Sequence, residues 1–137
     1  MVGIVVVGHG RWAEEMVGTL ENVLGRVEGL EAIATSNSDT PEGIRARIAT
    51  AVGRVDSGLG VIILTDMLGD TPTNLSMAVA RQTGAEVVAG VNMPILIKLT
   101  TARGEMDARA LARFIRRYGQ EHIFWATEPP APVRQAR

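Results

Sequence analysis

Residues 2–10 read Val-Gly-Ile-Val-Val-Val-Gly-His-Gly, an apolar run that stops at a histidine between two glycines. A continuous β-branched run is typical of a strand that is buried on both faces, as in a parallel sheet covered by helices. After the glycines, apolar residues recur at spacings of three and four, which predicts an amphipathic helix. These residues are Trp12, Met16, Leu20, Val23 and Val27. The chain therefore opens with a strand, a loop that carries His9, and a helix.

The same alternation continues along the chain. Apolar or alternating runs predict further strands at residues 30–35, 60–66 and 86–91, and each is followed by a helical pattern. Four strand–helix units indicate an α/β fold, an open doubly wound and mostly parallel sheet with helices on both faces. The commonest small arrangement has strand order 2-1-3-4, so the carboxyl ends of strands 1 and 3 lie side by side and form the usual site for ligands.

The chain end contains two further features. The aromatic run His122 to Ala126 is expected to form a last strand at the edge of the sheet. Residues 127–137 are rich in proline and alanine and are expected to form a flexible tail. With 137 residues, the chain is long enough for one domain, which we place at residues 1–126.

Composition excludes several function classes. The chain contains no cysteine, which rules out disulfides, thiol chemistry and thiolate metal sites. Its net charge is −1, and its arginine-rich stretch at residues 109–117 is explained by a solvated helix face, so we expect no nucleic-acid partner. No apolar stretch approaches the roughly 20 residues that span a bilayer, and no signal peptide is visible. We therefore expect a cytoplasmic protein that uses no metal and no cofactor.

Two loops carry the residues with chemical potential. His9 follows strand 1, and the loop after strand 3 runs from Asp66 to Thr71. If the predicted strand order is correct, the two loops face one another across a crevice. A carboxylate at Asp66 would accept the N–H of one imidazole nitrogen and leave the other free to attack. Two helices begin after these loops, and their N-termini favour an anion such as a phosphoryl group.

Each of these residues also has a simpler interpretation. A histidine in such a loop is often only a hydrogen-bonded loop residue, and Asp66 could serve as a turn or capping residue. Thr71 before Pro72 is explained as the N-cap of the next helix. The combination of the two loops, rather than any single residue, supports a reactive His9. His122, beside an apolar run, is interpreted as structural.

Three segments together resemble a known family. They are Gly8 to Gly10 after the first strand, Asp66 to Asn74 (Asp-Met-Leu-Gly-Asp-Thr-Pro-Thr-Asn), and Ala89 to Pro94 (Ala-Gly-Val-Asn-Met-Pro). In order and spacing they are similar to the signature segments of the mannose/fructose/sorbose-type IIA components of sugar phosphotransferase systems. The resemblance covers roughly residues 2–125. Each motif alone is a weak indication of the family, but the three together at this spacing are a strong one.

The resemblance implies a fold, a function and a set of partners. The fold would be an open α/β sheet with a late antiparallel strand that is exchanged between the subunits of a homodimer. His9 would accept a phosphoryl group from the histidine-containing phosphocarrier protein and pass it to a IIB component, which serves a membrane IIC/IID permease. Asp66 would orient His9. Thr71 would bind phosphoryl oxygens, and Gly10 and Arg11 are further candidates for phosphate contacts.

Asp70 departs from the family pattern, which usually has glycine there. Its carboxylate could repel the phosphoryl group, cap the following helix or alter the choice of partner. Arg11 could offset its charge, or could simply be an exposed arginine of the first helical turn.

Other functions remain to be weighed. A regulatory protein whose His9 phosphorylation is read by a partner, or the phosphoryl-donor subunit of a dihydroxyacetone kinase, would use the same chemistry. A response-regulator receiver is not favoured, because it needs an acidic pair after strand 1, an aspartate phosphoacceptor after strand 3 and a lysine near the last strand. Here strand 1 ends in Gly8-His9, and Lys98 is the only lysine. A flavin or dinucleotide binder is less favoured still, because neither Gly-x-Gly-x-x-Gly nor a Walker A sequence is present.

Overall fold

The computed structural model describes residues 1–104 and 106–132. Strands and helices alternate through the first two-thirds of the chain, and two consecutive helices follow the fourth strand. The elements are β1 (Gly3–His9), α1 (Trp12–Leu24), β2 (Leu30–Thr35), α2 (Pro41–Val55), β3 (Val61–Thr65), α3 (Thr71–Thr83), β4 (Glu86–Ala89), α4 (Met93–Ala102) and α5 (Ala108–Glu121).

The four strands form one parallel sheet in the order β2-β1-β3-β4, which confirms the predicted order. β1 lies at the centre, with His9 opposite Thr35 of β2 and Val7 opposite Thr65 of β3. Since Asp66 directly follows Thr65, this register brings it beside the end of β1. The chain reverses its winding direction between β1 and β3, so their carboxyl ends open into a crevice.

The apolar run of β1 is buried on both faces, as its composition predicts. Ile4 and Val6 belong to a core that includes residues of α1, α4 and α5. Val5 and Val7 face the opposite core, which includes residues of α2 and α3. Helices therefore cover both sides of the sheet. Because β1 is buried from Gly3 to Gly8, it fixes the position of the loop that follows it.

The expected antiparallel edge strand is absent from the part of the chain that the structure describes. Residues 122–125 have no strand structure, and residues 128–132 have neither helix nor strand. A strand needs a neighbour to accept and donate its backbone hydrogen bonds, and no strand of residues 1–104 and 106–132 pairs with residues 122–126. Instead Ile123, Phe124 and Trp125 are largely exposed, at 77%, 73% and 66%.

The expected boundary at residue 126 and the flexibility of the tail stay predictions, and residues 133–137 of that tail lie outside the described residues. Within residues 1–104 and 106–132, no helix has both the length and the apolar character needed to cross a membrane.

Candidate functional site

His9 is the last residue of β1 and lies where the central strand leaves the sheet. Its side chain is 42% exposed, so the ring is accessible from the crevice. Gly8 before it has no room for a side chain, because a Cβ there would lie 2.4 Å from the Trp12 ring and 3.2 Å from Asp66 Oδ2. A glycine at this position therefore allows Trp12 and Asp66 to pack against the strand end.

Asp66 binds His9 through both backbone and side chain. Its Oδ2 accepts the His9 backbone N–H at 2.9 Å and lies 2.6 Å from Nδ1 of the ring. Its Oδ1 accepts the backbone N–H of Met67 at 3.0 Å. The carboxyl group is only 10% exposed, and burial alone would raise its pKa. The hydrogen bonds from His9 and Met67 outweigh burial and lower the pKa of Asp66 below its ordinary value.

Asp70 contacts the other nitrogen of the same ring. Its Oδ2 lies 2.9 Å from His9 Nε2, and its Oδ1 accepts the backbone N–H of Thr71 at 2.8 Å. Asp70 is also the N-cap of α3, with Thr71 as the first helical residue. The expectation that Asp70 could cap the helix is confirmed, and the alternative that assigned the cap to Thr71 is wrong. Nε2, which we expected to be free, faces a carboxylate.

The two carboxylates change the acid–base behaviour of His9. The hydrogen bond to Asp66 is the largest cause that raises the pKa of His9 above its ordinary 6.5. Partial burial opposes this shift, while the negative charges of Asp66 and Asp70 and the hydrogen bond to Asp70 add to it. The ring is therefore protonated over a wider pH range than a free histidine.

The crevice in front of the ring has a volume of about 680 Å³. It is lined by the β1–α1 loop, the start of α3 and the β2–α2 loop, which contributes Ser36, Asn37 and Asp39. Thr71 lies in this lining at the first turn of α3 and is exposed. The positive end of the α3 dipole is thus on the side of the crevice that Thr71 lines.

Gly10 and Arg11 contribute less than the sequence suggests. Gly10 lines the crevice, but its backbone N–H already donates to the Thr35 carbonyl at 2.8 Å. It provides space rather than a free donor. Arg11 is 77% exposed, and its guanidinium lies 3.6 Å from Glu14 and 3.4 Å from Glu15 on the first turn of α1. The structure therefore brings His9, Gly10, Asp66, Asp70 and Thr71 together but pairs Arg11 with its own helix.

Comparison with known proteins gives the geometry a context. The family described as "PTS system fructose IIA component" (EIIA-man) matches residues 3–116. The chain belongs to this family. A "PTS system mannose-specific EIIAB component" from Escherichia coli (strain K12) is 31% identical over 105 residues, covering 76% of this chain and 32% of that protein. The chain thus spans about a third of the length of that relative.

Two other relatives match at nearly full length. A "PTS system sorbose-specific EIIA component" from Lacticaseibacillus casei is 26% identical over 121 residues, which is 86% of each chain. The crystal structure of a phosphotransferase system component EIIA from Streptococcus agalactiae aligns with a TM-score of 0.83 and 23% identity. It covers 90% of this chain and 96% of that one. The resemblance in the three sequence segments is therefore confirmed at the level of family and fold.

Proposed function

We propose that this IIA-family protein is a phosphoryl carrier that accepts a phosphoryl group on His9. The observation that carries the proposal is the 2.6 Å contact between His9 Nδ1 and Asp66 Oδ2 at the end of the central strand. An imidazole whose Nδ1–H is donated to a carboxylate presents its lone pair on Nε2. The same carboxylate stabilises the positive charge that grows on the ring as Nε2 bonds to phosphorus.

The transfer exchanges one nitrogen–phosphorus bond for another. The lone pair of neutral His9 Nε2 attacks phosphorus, the bond to the donor nitrogen breaks, and its electron pair returns to the donor. Thr71 and the N-terminal end of α3 are suited to hold the phosphoryl oxygens. Gly10 leaves space beside them, whereas Arg11 would have to leave Glu14 and Glu15 to take part.

The proposed partners follow from membership of the family. The histidine-containing phosphocarrier protein would donate the group, and a IIB component would take it onward to a membrane IIC/IID permease. A regulatory role, or donation within a dihydroxyacetone kinase, would use the same His9 chemistry with a different acceptor. The cytoplasmic location stays a prediction.

We also propose a homodimer built from the exposed end of the chain. Three large apolar side chains at residues 123–125 are exposed, and β4 is an edge strand. A groove of about 430 Å³ runs along β4 beside α5, lined by apolar Val87 and Ala112 and by Arg113 among others. Pairing of residues 122–126 of one subunit with a partner would cover an exposed apolar segment that otherwise favours aggregation.

The test of the central proposal is a reconstitution. The purified chain is incubated with phosphoenolpyruvate, the general phosphotransferase enzyme and the histidine-containing phosphocarrier protein, and its intact mass is recorded. The expected result is one phosphate increment that appears only with the complete donor chain. A chain that folds but never gains the increment would contradict the proposal.

A further inference from the structure

Both ring nitrogens of His9 face carboxylate oxygens, Asp66 at 2.6 Å from Nδ1 and Asp70 at 2.9 Å from Nε2. An ionised carboxylate only accepts hydrogen bonds, and a neutral imidazole has one N–H to donate. With a neutral ring, one lone pair of nitrogen would face a lone pair of oxygen. Two negative charges this close to the ring favour an imidazolium over a neutral imidazole.

An imidazolium held in this way is not a nucleophile. Its Nε2 carries a proton rather than a lone pair, and the Asp70 carboxylate lies 2.9 Å from the nitrogen that phosphorus must reach. We propose that Asp70 controls access to the reacting nitrogen of His9: it occupies Nε2 in the unmodified protein and withdraws before a phosphoryl group is accepted. This inference rests on the proposed function, because it assigns the reaction to Nε2.

Asp70 is built so that it can withdraw without unfolding the site. Its side chain is 48% exposed, so rotation into solvent meets little packing. Its other oxygen caps α3, and asparagine is as good an N-cap as aspartate. Asp66, by contrast, is held by three hydrogen bonds and is nearly buried. Of the two carboxylates, Asp70 is the one free to move.

The Nε2 proton of the imidazolium passes to solvent as Asp70 turns away, and the ring becomes neutral with its Nδ1–H still on Asp66. The Nε2 lone pair then forms the bond to phosphorus, while the electron pair of the broken bond stays with the donor nitrogen. Once the group is attached, Asp70 is a negative charge close to a dianion and disfavours the phosphorylated form.

The other charges around His9 do not reproduce this effect. In the described residues, the crevice also contains Asp39 on the β2–α2 loop, which lies 3.7 Å from Arg47 and accepts the Ser36 backbone N–H. On the α1 side, Arg11 pairs with Glu14 and Glu15. Among the charged groups of the described residues, Asp66 and Asp70 are the two that pair with the ring nitrogens, so Asp70 is the group whose charge should control Nε2.

The first arm of the experiment needs no phosphoryl donor. The ring nitrogens of His9 are titrated by NMR in the wild type, in Asp70→Asn and in Asp107→Asn. Asp107 is a matched control, since it caps α5 by accepting the Ala110 N–H, and the next residue, Ala108, donates its N–H to the Leu59 carbonyl near the opposite end of β3. We expect Asp70→Asn to lower the pKa of His9 and Asp107→Asn to leave it unchanged. An unchanged titration in Asp70→Asn would overturn the inference.

The second arm measures the phosphorylation rate against pH with phosphoramidate, a small donor that needs no docking partner. The wild-type rate should rise with pH as His9 loses its proton. At pH values below the pKa of His9 in both proteins, Asp70→Asn should be faster, by roughly tenfold for each unit by which the pKa of His9 falls. At alkaline pH, where His9 is neutral in both proteins, the rate ratio of Asp70→Asn to wild type should decrease. The ratio that remains would come from the repulsion between Asp70 and the phosphoryl group in the wild type. A slower Asp70→Asn at every pH would overturn the inference, because Asp70 would then assist the reaction.

The two arms separate this inference from the proposed function. If no variant gains phosphate on His9 from any donor, the proposed function fails and the role given to Asp70 in transfer fails with it. The NMR titration would still show whether Asp70 holds the ring as a cation. If His9 is phosphorylated equally fast in both proteins at every pH, the proposed function stands and the control by Asp70 is wrong.

Discussion

The end of β1 and the end of α5 each carry a histidine, and the two side chains have opposite surroundings. His9 is contacted by carboxylates that arrive from a loop 57 or more positions further along the chain. His122 is stacked on Tyr118 at 3.6 Å between ring centres, and its Nδ1 lies 2.7 Å from the Tyr118 carbonyl. Its neighbours come from its own helix and from Phe124.

The difference shows what makes a histidine suitable for transfer. At His9, the sheet register places the nearly buried Asp66 carboxylate on one nitrogen, and the other nitrogen faces the exposed Asp70 carboxylate at the crevice. At His122, aromatic rings cover the face of the imidazole and the backbone occupies one nitrogen. Exposure alone does not separate the two residues, since both are partly exposed. The identity of the groups on the ring nitrogens does.

The largest expected effect is the loss of the acceptor itself. His9→Ala should abolish the phosphate increment in the reconstituted system, whereas His122→Ala should retain it. The modification on the wild type should be labile in acid and stable in alkali, as expected for a phosphohistidine. Intact mass and peptide mapping provide the measurement. Labelling that persists in His9→Ala, or disappears only in His122→Ala, would reverse the comparison.

The second largest effect is expected from the loss of Asp66, the carboxylate that contacts His9 and has no counterpart at His122 among the described residues. Asp66→Asn removes the charge that orients the ring and stabilises its growing positive charge, so phosphorylation should slow by about one to four orders of magnitude. Asp56→Asn is the matched control, because Asp56 accepts the Gly58 N–H at the other end of β3. Rates are measured by rapid quench, and circular dichroism verifies folding. Wild-type kinetics in Asp66→Asn would remove the role assigned to this contact.

The meeting of His9 with Asp66 could be predicted from the sequence, because each residue directly follows a continuous apolar strand. Such strands are parallel and buried, and their order follows from short right-handed crossovers. The contact of Asp70 with Nε2 could not be predicted in the same way. It depends on which residue caps α3, and a cap at Asp70 rather than Thr71 turns the carboxylate toward the ring.

Two other features of the site, the bonding of Gly10 and the pairing of Arg11, differ in how far the sequence could predict them. The Gly10 N–H is taken by Thr35, a bond that follows from the strand register and has no signal in the residue types. The pairing of Arg11 with Glu14 and Glu15 could have been recognised, since spacings of three and four place charges together on a helix. The expected last strand could form only beside another strand, and the described residues of this chain provide none for it.

A third effect tests the region around His122. In the proposed homodimer, Phe124 and Trp125 pack on a partner, so Phe124→Ser with Trp125→Ser should weaken dimerisation at least tenfold. Val23→Ser is the control, since Val23 is exposed to a similar degree, 61%, on α1. Light scattering at micromolar concentration should give twice the chain mass of 14.6 kDa for the wild type. A wild-type monomer would contradict the proposed assembly.

The smallest effect is the contribution of the His9–Asp66 pair to stability. Because the pKa of His9 is raised, its stabilisation is complete below its ordinary 6.5 and is lost as pH rises through the folded value. Because the pKa of Asp66 is lowered, its stabilisation is present above its ordinary 3.8 and is lost as pH falls through the folded value. The coupling between the two should therefore be greatest between these two ordinary values.

A double-mutant cycle with His9→Gln and Asp66→Asn, followed by urea unfolding at several pH values, measures this coupling. With His9 42% exposed, solvent screening limits the coupling to about 0.5–1 kcal/mol near pH 5 to 6. It should decrease at pH 8 and above, where the ring is neutral and only its Nδ1–H bond to Asp66 remains. A coupling that instead grows with increasing pH would mean that His9 is neutral in the folded protein. The carboxylates on the ring nitrogens of His9 would then not make it a cation, and His9 would differ from His122 only in its place in the fold.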